Sequence, residues 1–143
     1  MTRRLFASWQ AGRLTSPRRN PTEDVRSRSI LAARAAAAKN GADTLVLEVG
    51  PIIGITDIFV ITSGRNVRQV KTIAEEVEKK LKDDGHPGPV RTEGLHDASW
   101  VLLDYGDFVV HVFLEETRDF YNLDRLWADA PRLEWEESAA AVS

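Results

Sequence analysis

Cysteine is absent from all 143 residues. That excludes disulfides, thiolate nucleophiles and Cys-based zinc sites, and it fits a reducing compartment. No apolar run approaches the roughly 20 residues that cross a bilayer. No apolar h-region follows the N-terminal arginines either, so a soluble, non-secreted protein is expected. Acidic residues are missing from Met1 to Pro21, which holds scattered Arg, Ser and Thr with two prolines. Residues 1–21 are therefore expected to be a disordered basic tail. An Arg-rich, acid-poor segment also suits an organellar presequence or a start codon set too far upstream. Ala- and Arg-heavy usage favours a bacterial tail and a cytoplasmic location, and a presequence would instead imply the mitochondrial matrix. Histidine is sparse. His86, His96 and His111 show no paired metal spacing and no nucleophile-elbow context, and His111, between Val110 and Val112, reads as a packed sheet residue.

What is present suffices for one domain, because a chain of this length buries roughly two thirds of its unfolded surface without a staple. The net charge of -3 hides an asymmetry. Met1 to Arg28 holds seven Arg against Glu23 and Asp24, giving +5, so the remainder carries twelve basic and twenty acidic residues, giving -8. Such a body is a poor candidate for gripping phosphate backbones and its field favours a basic partner. The same charge also serves simply to keep a domain soluble.

From about Thr22 to Lys39 the sequence is helical: Thr22 can cap, Glu23 and Asp24 suit the positive end, an Ala-rich run follows, and Asn40-Gly41 ends it. Thr44 to Val49 alternates as a first strand, Gly50-Pro51 and Gly54 mark a loop, and Ile58 to Thr62 is a short, centrally buried second strand. From Asn66 the period becomes helical, with Val67, Val70, Ile73, Ala74, Val77 and Leu81 in one stripe, stopped by Asp83-Asp84-Gly85. Val90 to Glu93 can form a short strand. Glu115 begins a last helix in which Phe120, Leu123 and Trp127 share a face, ended at Ala130-Pro131, and residues 131–143 are expected to fray. The order α-β-β-α-β-β-β-α predicts an α/β or α+β fold, a mixed sheet of about five strands with helices packed on it.

Ser99 to Leu114 (SWVLLDYGDFVVHVFL) predicts a β-hairpin turning at Tyr105-Gly106. Trp100 to Leu103 is apolar on both faces, which suits an interior strand. Near the turn an aromatic ring lies between two carboxylates, a combination that suits contact with a basic, apolar partner surface as well as ordinary packing. Asp57, Asp104 and Asp107 could cluster at strand ends as a Mg2+ site for nucleotidyl or phosphoryl transfer. Against that, Asp favours turns, and DYGD separates its carboxylates by a turn. Ser63-Gly64-Arg65-Asn66 before a helix could offer amides to an anion, but with one glycine and no Lys-Ser/Thr it reads as an ordinary strand-to-helix turn.

Three stretches in order, DIFVITSGRNVRQVKTI from Asp57, WVLLDYGDFVVHVF from Trp100 and EETRDFYNLDRLW from Glu115, closely resemble the ribosomal silencing factor family, also called Iojap. The resemblance covers roughly residues 30 to 130, so residues 22–130 are expected to be the family's domain. Asn66 stands where the family's Gly-x-Ser-x-Arg pattern has Ser, and Asn also caps helices. The resemblance implies a fold like that of nucleotidyltransferases without their active site, no catalytic residues, no metal and no cofactor. It implies a translational repressor that docks on a basic ribosomal protein, the fourteenth of the large-subunit series, and keeps the small subunit from joining. It further implies a homodimer when free; the lack of a long apolar run and the acidic body lead us to expect no membrane and no sequence-specific nucleic acid as partners. Carried onto this chain, Trp100, Asp104 and Tyr105 match the hairpin positions expected to meet the ribosomal protein.

Overall fold

The computed structural model describes residues 22–136; the basic tail 1–21 and residues 137–143 lie outside them. Helix α1 (Glu23–Ala38) starts where expected, with the Thr22 hydroxyl accepting the Val25 N–H at 3.2 Å and Glu23 and Asp24 in the positive first turn. Strand β1 (Ala42–Glu48) follows, and Gly50-Pro51 opens one short helical turn, α2 (Gly50–Ile53), where the sequence suggested only a loop. Pro needs no amide partner at a helix start, which accounts for the turn.

Strand β2 (Ile58–Gly64) is buried along its whole length. Helix α3 (Val67–Asp83) is capped by Asn66, whose Oδ1 accepts the Gln69 N–H at 2.9 Å, so the Asn departure from the family's Ser keeps the cap. Its stripe of Val70, Ile73, Ala74, Val77 and Leu81 is buried as its spacing requires, while Val67 at the first position stays exposed. The short β3 (Arg91–Glu93), then β4 (Trp100–Asp104) and β5 (Phe108–Leu114), complete a five-stranded sheet in the order β1-β2-β5-β4-β3. Among the described residues β2 and β5 run parallel, in the register Ile58↔Phe108 to Gly64↔Leu114, and the other strand pairs are antiparallel.

The sheet is covered on both faces. Helices α1 and α3 pack on one, where small Ala32, Ala33 and Ala36 let α1 sit close to Val70, Ile73 and Val77. The other carries Leu47, Phe59, Trp100 and Phe113 beneath α4 (Glu115–Tyr121), α5 (Leu123–Leu126) and Trp127. Asn122, at φ +48°, separates α4 from α5. The helical phase changes across that break: Leu123 and Trp127 are buried, but Phe120 in α4 is 77% exposed, which corrects the expectation of one shared face.

Residues 131–136, expected to fray, instead lie along the open edge of β1. The Glu48 N–H donates to the Pro131 carbonyl and the Leu133 N–H to the Val46 carbonyl, each at 2.8 Å, and the Trp135 indole N–H donates to the Thr44 carbonyl at 2.9 Å. An edge strand left bare would expose its unpaired backbone, and this segment satisfies it. No helix among the described residues is long and apolar enough to cross a membrane.

Candidate functional site

Side chains alternate across a strand, so residues an even number apart share a face and those an odd number apart do not. Trp100 and Tyr105 are five apart. Trp100 points into the layer beneath α4 and α5, whereas Tyr105 packs into the α1/α3 core. Trp100 is 2% exposed, Asp104 1% and Tyr105 8%. Of the three residues expected to meet the ribosomal protein, Trp100 and Asp104 thus share one parity and Tyr105 has the other, and all three side chains are buried.

Trp100 anchors an aromatic layer. Its indole N–H donates to His111 Nδ1 at 3.0 Å, and its ring centroid lies 4.7 Å from that of Phe113 and 5.1 Å from that of Tyr121. Full burial drives the His111 pKa down to about 3. The imidazole is therefore neutral, accepting at Nδ1 with its proton on Nε2. Phe59, also in this layer, meets His111 edge-on at 4.5 Å.

Asp104 builds the hairpin end. Its Oδ1 accepts the Gly106 N–H at 2.8 Å, and the Tyr105 N–H donates to the Phe108 carbonyl at 2.9 Å, so the two turn residues are Gly106-Asp107, one position beyond the expected Tyr105-Gly106. Gly106 sits at φ +90°, a left-handed value that glycine adopts at little cost. Thr56 Oγ1 donates to the Gly106 carbonyl at 3.0 Å, and the Asp57 N–H to the Asp107 carbonyl at 3.0 Å, tying the turn to the start of β2.

Tyr105 stacks flat on Phe108, with centroids 4.8 Å apart and planes 6° from parallel. Its hydroxyl has no hydrogen-bond partner among the described residues, and burial, helped by nearby Glu78, pushes its pKa above the usual tyrosine value. The Arg28 guanidinium lies 5.3 Å from the Phe108 ring centre and pairs with Asp24 at 3.0 Å and Asp107 at 3.6 Å.

The three candidate metal-binding carboxylates therefore have other surroundings: Asp104 at the turn amide, Asp107 toward Arg28, and Asp57 beside the hairpin through its backbone. Among the described residues, no group of three or more His, Asp or Glu is placed to hold a metal ion.

Above the aromatic layer, α4 and α5 present Phe120, 77% exposed, and Leu126, 62% exposed, among exposed Glu115, Glu116 and Asp119. Buried Arg118 fixes these helices to the sheet. Its guanidinium donates to both Asp124 carboxylate oxygens at 3.1 and 2.8 Å, to the Ala42 and Asp43 carbonyls at 3.1 and 2.7 Å, and to Ser63 Oγ at 3.1 Å. Burial alone would raise the Asp124 pKa, but the hydrogen bonds and charge of Arg118 outweigh it and hold the carboxyl below the usual range. Sequence reasoning missed Arg118, because its partners at Ala42 and Asp43 are remote along the chain. It also missed the exposure of Phe120, for which Asn122, a residue that tolerates left-handed backbone, was the available signal.

A sequence profile described as "Ribosomal silencing factor during starvation" matches residues 22–143. The ribosomal silencing factor of Bacillus subtilis (strain 168) is 40% identical over 109 residues, covering 75% of this chain and 92% of that protein. That of Halalkalibacterium halodurans is 42% identical over 106 residues, covering 74% and 90%. An X-ray structure of a Chromobacterium violaceum protein superposes with a TM-score of 0.69 at 33% identity, over 83% of this chain and 98% of that one. With the three motifs, the fold and the length of these matches in agreement, the chain belongs to the ribosomal silencing factor family.

Proposed function

We infer that the protein represses translation by docking on a basic protein of the large ribosomal subunit, the fourteenth of its series, and sterically preventing the small subunit from joining. No chemistry is required of it, and the free protein is a homodimer. The observation that carries this reading is the α4–α5 surface, where exposed Phe120 and Leu126 stand among Glu115, Glu116 and Asp119 in a chain of this family. Apolar anchors supply affinity once desolvated, and the surrounding acids favour encounter with a basic surface.

Trp100, Asp104 and Tyr105 belong to this reading as the frame of the docking surface. Trp100 packs beneath Tyr121 of α4, Asp104 holds the hairpin end, and Tyr105 seats the same hairpin on the opposite core. Their replacement acts on docking through the shape of α4 and the hairpin.

Co-sedimentation with isolated large subunits and light scattering of subunit joining test the reading together. The double variant Phe120→Glu, Leu126→Glu should keep its melting temperature, bind at least about tenfold more weakly and no longer inhibit joining. Unchanged binding by that variant would move the docking surface elsewhere. If the unaltered protein fails to sediment with large subunits, and instead shows a saturable Mg2+-dependent rise in melting temperature with nucleotide, repression gives way to phosphoryl or nucleotidyl transfer.

A further inference from the structure

The body of this protein is acidic, yet one cleft in it has no acid in its lining. It lies between the end of α1 and the start of α3, with a volume of about 610 Å³, and Lys39, Arg65 and Arg68 converge on it with Asn40, Asn66 and Gln69. The three cations come from three places in the chain: the end of α1, the β2–α3 connection and the first turn of α3. All three are exposed, and none takes part in an ion pair among the described residues, whereas Arg26, Arg28, Lys79, Lys80, Arg91 and Arg118 do.

The positions of Arg65 and Arg68 work against the fold, whereas Lys39 sits at the negative end of α1. The start of a helix is its positive end, where acids are favoured and cations are not. Helix α1 obeys this with Glu23 and Asp24; α3 has no acid in its first turn and carries Arg68 there, with Arg65 just before it. The repulsion among these groups is relieved by a polyanion. The cleft is also pre-formed. Gln69 Nε2 donates to the Lys39 and Asn40 carbonyls, each at 3.1 Å, while Gln69 Oε1 accepts the Arg65 N–H at 2.7 Å and Asn66 Oδ1 accepts the Gln69 N–H at 2.9 Å. These amides at the helix start are already occupied, so an anion here is gripped by the rim side chains.

We propose that Lys39, Arg65 and Arg68 contact the phosphodiester backbone of ribosomal RNA when the protein sits on the large subunit. This rests on the docking reading above and extends it with a second class of contact. Three exposed cations spread around an open cleft suit successive phosphates of a chain better than a single enclosed anion. The cleft also lies at the right end of the molecule: Gly64 pairs with Leu114, so Arg65 and Glu115 leave adjacent strands together. The basic cleft and the acidic α4 thus flank one end of the sheet, and a ribosomal surface offers both RNA and basic protein. The contact carries no base specificity, because exposed Lys and Arg read only charge.

The test uses the full chain and a triple variant, Lys39→Glu, Arg65→Glu, Arg68→Glu, measured from low to moderate salt against isolated large subunits, protein-free large-subunit RNA, inorganic phosphate and a nucleoside triphosphate. Arg65→Glu and Arg68→Glu suit the positive start of α3, whereas Lys39→Glu meets the negative end of α1, so these effects oppose and the variant's melting temperature should stay close to the parent's. Residues 1–21 are common to both proteins, and their arginines cancel in the difference. The expected result is weaker binding of the variant to large subunits and to free RNA, with the slope of log affinity against log salt shallower by about 2 to 3, the loss of some three phosphate contacts. A parent and variant with the same slope on large subunits would overturn the RNA contact and leave docking intact. Saturable binding of phosphate or triphosphate that depends on these cations, without a change on RNA, would overturn it in favour of a small-anion site. A parent that binds no large subunits would overturn both readings, whereas loss of subunit binding in the Phe120→Glu, Leu126→Glu variant with free-RNA binding retained supports two separate contacts.

Discussion

The two faces of the sheet are held together by different physics. Beneath α1 and α3 the contacts are chiefly aliphatic: Ala32, Ala36, Val60, Val70, Ile73 and Val77 bury themselves without needing a particular orientation. Beneath α4 and α5 the layer is built from rings and directional polar bonds, Trp100 to His111 and Arg118 to Asp124 and the β1 carbonyls. An aliphatic face tolerates small changes of shape, because dispersion and burial depend weakly on angle. A face made of hydrogen-bonded rings ties the placement of exposed groups to a few atoms, and here those groups are Phe120 and Leu126. One face mainly keeps the protein folded; the other also aims a surface.

The sharpest way to break this contrast is to empty the aromatic layer. Trp100→Ala should cost about 4 kcal/mol in denaturant unfolding, since it leaves a large cavity and removes the donor to His111. Ile73→Val on the aliphatic face should cost about 1 kcal/mol and leave ribosome binding unchanged. Equal losses at the two sites would erase the distinction.

Acid should come next. His111 is neutral when folded, with a pKa near 3, while the unfolded chain takes up a proton near the ordinary 6.5. Below 6.5 the unfolded state therefore binds more protons, and stability present above that pH declines as pH falls toward 3. Denaturation at pH 7 and pH 5 should differ by about 2 kcal/mol from this group. Replacing His111 by Asn should lower stability at pH 7 and flatten the decline between the two. A decline of undiminished steepness in that variant would assign the acid sensitivity elsewhere.

The smallest effect belongs to Tyr105. With its hydroxyl buried and unpartnered among the described residues, Tyr105→Phe should be neutral or stabilising by up to about 1 kcal/mol. Binding to large subunits should not change. Weaker binding at unaltered stability would instead put the phenol in direct contact with the partner.

Much of the sheet was legible because its strands announce themselves by period and composition. Thr44 to Val49 alternates, Ile58 to Thr62 is apolar throughout, and the β4–β5 hairpin has a Gly-containing turn between two apolar runs. The stripe of α3 and the Thr22 and Asn66 caps were legible for the same local reason. The site was harder to read. Counting from Trp100 to Tyr105 would have shown that the two rings face opposite ways, so that part was in the sequence and only needed parity. Arg118 and residues 131–136 are another matter: both satisfy backbone groups of β1, far away in the chain, and such pairing leaves no periodic trace. The expected shared face of Phe120, Leu123 and Trp127 assumed one continuous helix, and left-handed Asn122 divides it in two.

The parallel alignment of β2 with β5 has a consequence for how the chain is made. Everything from Arg65 to Asp107 intervenes between these strands, so the middle of the sheet cannot close until Leu114 has emerged from the machinery that synthesises it. Until then the apolar IFVITSG segment has only β1 on one flank and bare amides on the other, the period in which a nascent chain is most open to wrong partners. A protein of a ribosome-silencing family thus depends, for closing its own sheet, on a ribosome that has run through the whole of β5.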